Sequence, residues 1–133
     1  MRGRRPRPTP GWLAHMRAHA ALVGLAFHAR FPQQAAPPPF RESPVFGPEA
    51  ARDYLRRLTA ALMALAQSHP PQAQAVACLC LGEGKGRRHS GEAVRELAEL
   101  WGVDVTTVRS WLKEGWELLA QRLEAPTREG GQA

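Results

Sequence analysis

The stretch ELAELWGVDVTTVRSWL, residues 96–112, restricts the fold of this chain more than any other. Two helical patterns meet there across a glycine. Ala98 supplies a small side chain where two helix axes cross, and Gly102 tolerates the positive φ of a sharp turn. Val103 is expected to pack inward and Asp104 to cap the second helix with its carboxylate. Val108 and Leu112 recur at helical spacing and anchor that helix on the first. These positions together fit a helix-turn-helix, with an ordinary helical hairpin as the plainer alternative.

Proline punctuates the rest of the chain into helix-sized blocks. Leu13, Met16, Ala20, Val23, Phe27 and Phe31 recur at helical spacing, which predicts an amphipathic helix over residues 12–31, weakened by Gly24. Residues 32–47 are proline-rich and predict a linker, polyproline-like at Pro37–Pro39. A helix opening at Pro48 runs to about Gln67 on a stripe of Leu55, Leu58, Leu62 and Leu65. His69-Pro70-Pro71 ends it, and a further helix over about 71–82 is apolar enough for nearly complete burial. Helices over about 92–101 and 105–124 follow, the last stopped by Pro126, and no strand is expected. The expected fold is all-α. A small helical domain at 48–125, ending in the helix-turn-helix, is preceded by a basic arm (1–11), one amphipathic helix and the linker, and followed by a flexible tail (126–133).

The net charge of +6 is unevenly placed. Residues 1–47 hold seven arginines against Glu42 alone, whereas residues 48–133 balance eleven basic groups with eleven acidic ones. Such an arm suits nucleic acid or another polyanion, with a solvated tail as the alternative. No long apolar run predicts a signal peptide or membrane span, so a reducing cytoplasm is the default compartment.

The stretch CLCLGEGKGRRHSG, residues 78–91, offers cysteines, glycines and a basic cluster. Cys78 and Cys80 would project about 200° apart on a helix, too divergent to share a metal, and are expected to be small core residues. Lys85 is not followed by Ser or Thr, so no phosphate-binding Walker loop is formed. What remains is a basic loop whose Lys85, Arg87 and Arg88 can clamp a phosphate, or simply connect two helices. His15 and His19 have helical spacing, but HMRAH lacks the glutamate of a zinc protease motif, and both are expected to be exposed. No acid pair, nucleophile elbow or cofactor fingerprint is found. Neither an enzyme, a cofactor nor a metal site is expected.

On the helical wheel of residues 105–124, Val105, Val108, Leu112, Gly115, Trp116, Leu119 and Leu123 form one stripe. Opposite lie Thr106, Ser110 and Lys113, flanked by Arg109 and Thr107. Arg and Lys donate to guanine, while Ser and Thr adapt to base or phosphate, so these five are the candidate DNA-contacting residues. A generic polar face is the alternative. The residues HPPQAQAVACLCL and AVRELAELWGVDVTTVRSWLKEGWELLAQRL resemble region 4 of bacterial sigma factors of the extracytoplasmic-function type. They are similar as well to small phage and bacterial regulators built on that module. The resemblance covers about residues 50–124 and implies binding to the −35 promoter element and docking on the RNA polymerase β flap. Nothing upstream resembles region 2, so a complete sigma factor is not expected.

The expected function is therefore sequence-specific binding of double-stranded DNA in transcription regulation, beside RNA polymerase. Two rivals remain open. Trp101, Trp111 and Trp116, in a segment (92–124) with four basic and seven acidic groups, fit a module that docks on polymerase without reading DNA. A phage small terminase subunit would use the 12–31 helix as a homo-oligomerisation element.

Overall fold

The computed structural model describes residues 9–80 and 91–124, and all their regular structure is helical. Five α-helices run α1 (Pro10–Arg30), α2 (Pro48–Ser68), α3 (Pro70–Cys80), α4 (Gly91–Trp101) and α5 (Val105–Glu124), with a short 3₁₀ turn at Pro38–Phe40. Three of the helices open on proline, whose missing N–H is not needed in a first turn. Thr9 caps α1, its Oγ1 accepting from the Trp12 N–H at 3.1 Å. The Lys85, Arg87 and Arg88 loop, most of the basic arm and the 126–133 tail lie outside the described residues. Among the described residues no helix is long and apolar enough to cross a membrane.

Helix α5 is the hub and packs against each of the other four. The predicted stripe holds: Val108, Leu112, Gly115, Trp116, Leu119 and Leu123 are buried, with Val105 half-buried. On α2, Leu58 and Leu65 are buried and Leu55 and Leu62 half-buried, joined by Ala51, Tyr54 and Ala61. Ala73, Ala75, Val76 and Leu79 fill the α3 contact.

Helix α1 departs from its expected stripe. Leu13, Met16 and Phe31 are exposed, and Val23 and Phe27 half-buried, so the predicted amphipathic face is not the one that packs. The buried face is Gly11, Ala14, Ala18, Ala21 and Gly24, with Ala20 beside it. Small residues let backbones approach closely, and a Cβ at Gly24 would strike the Phe46 carbonyl. The Tyr54 hydroxyl, buried between α1 and α2, donates to the Ala14 carbonyl at 3.2 Å. The alanines of α1 belong to the same core as Leu58, Leu119 and Trp116, so α1 is part of the domain and not an appendage.

The predicted linker is likewise structural. Pro37 has the polyproline conformation (φ −67°, ψ 156°), but Pro38–Phe40 turn into the 3₁₀ element. Phe46 is only 2% exposed. Phe40 stacks on it at 4.8 Å, and Phe27 and His28 of α1 pack around it. A proline-rich segment buries apolar surface here because its aromatics, not its prolines, face the core.

Candidate nucleic-acid interface

The turn between α4 and α5 has the geometry its residues predict. Ala98 is buried, and Gly102 adopts φ +69°, the left-handed region that costs other residues strain. The Val103 N–H donates to the Ala98 carbonyl at 3.0 Å and the Gly102 N–H to that of Glu99 at 3.3 Å, closing α4. Val103 is half-buried against the core. The expected carboxylate cap from Asp104 is not seen among the described residues; its main-chain carbonyl accepts the ordinary first helical bonds from the Thr107 and Val108 N–H groups at 3.0 and 3.2 Å.

Beyond the turn, Val108 and Leu112 hold α5 against the core, which leaves Thr106, Arg109, Ser110 and Lys113 exposed on one side. Thr107 is half-buried at the edge. The five residues thus share the first turns of α5, and Lys85, Arg87 and Arg88 cannot be set beside them because they fall outside the described residues.

Two acidic residues that would oppose a phosphate track follow on α5, Glu114 exposed and Glu117 half-buried. Glu114 accepts from the Gln72 amide of α3 at 3.0 Å and, at 3.5 Å, from the Ser110 hydroxyl. Glu117 accepts the Gly11 N–H at 3.1 Å, where its charge also meets the positive end of α1. Gln72 and Gly11 lie far away in sequence, so the α5 pattern alone gave no sign of them, whereas Ser110 is one turn back on α5 itself.

The tryptophans separate from one another. Trp116 is buried, stacked on His15 at 4.9 Å, and its indole N–H donates to Cys80 Sγ at 3.4 Å. It contributes to no docking patch. Trp111 is half-buried and tilted against Trp101 at 5.9 Å across the turn, beside Leu100, which is 76% exposed. His15 is half-buried rather than exposed, because Trp116 offers it a stacking face; His19 is exposed. Cys78 is exposed and not a core residue, whereas burial pushes the Cys80 thiol up to about 11, partly offset by the Trp116 N–H. Their opposite environments follow from their near-opposite positions on α3.

No protein-family model matches the chain, and comparisons with curated proteins and with solved structures likewise gave no match.

Proposed function

We propose that the protein binds double-stranded DNA through α4 and α5 as a transcription regulator resembling sigma region 4, working beside RNA polymerase. The observation that carries this reading is the turn itself. A positive-φ glycine and a buried alanine orient α5 so that Thr106, Arg109, Ser110 and Lys113 share one exposed face at its start. The leading turns of a recognition helix are the part that meets base edges in the major groove. Selection from a randomised duplex pool, followed by anisotropy titration over a salt series, tests this. A single enriched site, bound more tightly than random duplex and with a negative salt slope, supports the reading. Absence of duplex binding even at low salt sinks it.

A second reading rests on Leu100. It is a large apolar side chain left to solvent near the end of α4, next in the chain to Trp101, and offers a protein partner a contact. Loss of polymerase capture on Leu100→Ser, in a protein that binds no duplex, favours docking alone.

A further inference from the structure

Between the start of α1, the start of α4 and the middle of α5 lies a cleft of about 440 Å³, within the size range of small-molecule sites. Its floor is Leu112 and the buried Trp116, with His15 stacked parallel to that indole, 17° between planes. Trp12 meets His15 edge-on at 6.1 Å and stands 51% exposed, forming a wall that solvent reaches. Arg109 and Lys113 line the same cleft, one helical turn apart. A Cβ on Gly91, where α4 opens, would lie 3.9 Å from the Arg109 guanidinium. Glu117 is the one acidic side chain among the described lining residues, and its carboxylate is already engaged by the Gly11 N–H.

Flat aromatic walls favour a flat ring, and two cations against one engaged carboxylate favour a negative charge on it. We infer that this cleft is a binding site for a small planar aromatic anion. The ring lies against Trp12, His15 and Trp116, and the anionic group meets Arg109 and Lys113. The site stands without the DNA reading. Where that reading holds, an occupant withdraws Arg109 and Lys113 from the groove, so ligand and duplex compete.

The test is an NMR titration of the full chain, without DNA, followed through the four indole N–H resonances. Naphthoate is the probe, with naphthalenemethanol as the uncharged ring and cyclohexanecarboxylate as the anion without a flat ring. Naphthoate is expected to shift the Trp12 and Trp116 resonances saturably while Trp101 and Trp111 stay in place. Both comparison compounds should bind about tenfold more weakly, the size of one lost charge-assisted or stacking contact. An Arg109→Gln, Lys113→Gln double variant should lose that preference for naphthoate over the uncharged ring. These side chains are exposed, so the variant keeps its fold. No saturation by naphthoate, equal affinity for the uncharged ring, or shifts centred on Trp101 and Trp111 would each overturn the assignment.

Discussion

Single atoms set two of the tightest constraints in this molecule. Gly24 is squeezed against the Phe46 main chain, which cannot swing aside as a side-chain tip would. Alanine normally favours a helix over glycine, yet Gly24→Ala is expected to destabilise by about 1–3 kcal/mol through overpacking. A fall in the thermal midpoint by circular dichroism checks it; a rise would mean that helix propensity outweighs the contact. The second constraint is the Cys80 thiol, whose proton is held more tightly in the folded protein than in the unfolded chain. A pKa raised from 9.0 to about 11 gives stability that is complete below pH 9 and lost as pH rises toward 11. Urea midpoints measured across that interval should fall more steeply for the native sequence than for Cys80→Ala.

At the scale of elements, the turn between α4 and α5 is the part on which the proposed function rests. No atom would crowd a Cβ at Gly102, so Gly102→Ala tests backbone conformation alone, and a cost of about 1–2 kcal/mol is expected by urea denaturation. Arg109→Ala should leave stability unchanged and weaken the selected duplex by about 1–3 kcal/mol, with less effect on random sequence. Equal losses on both would reduce Arg109 to a phosphate contact. The α5 stripe was readable from sequence because its large apolar residues stand on one face. The packing face of α1 has the same periodicity, but it is written in Ala and Gly, which bury little area. Hydrophobicity therefore pointed to Leu13 and Met16 instead. Phe46 was hidden for another reason: it stands among prolines, with no periodic neighbours to mark it as core. The exposure of Thr106, Arg109, Ser110 and Lys113 was readable from the helical wheel, whereas the engagement of Glu114 and Glu117 depends on Gln72 and Gly11 from other helices.

For the molecule as a whole, α1 completes the core instead of decorating it. Its removal takes away the Ala14 carbonyl that receives the buried Tyr54 hydroxyl, and it uncovers the Trp116 face on which His15 stacks. An unsatisfied buried polar group and lost packing act together here. A fragment of residues 32–133 is expected to lose its cooperative thermal transition. Melting within a few degrees of the full chain would show that α1 is dispensable.

The hydrogen bond from Gly11 to Glu117 also has a consequence for synthesis. Its partners are 106 residues apart, a distance that a ribosome moving at about 5–20 residues per second covers in on the order of 10 s. For that interval the nascent α1 has no α5 to close upon. The packing face it leaves bare is alanine and glycine, so it adds little sticky surface to Leu13, Met16 and Phe31, which stay exposed even in the folded chain. A leucine-rich face in the same place would spend those seconds as an aggregation site.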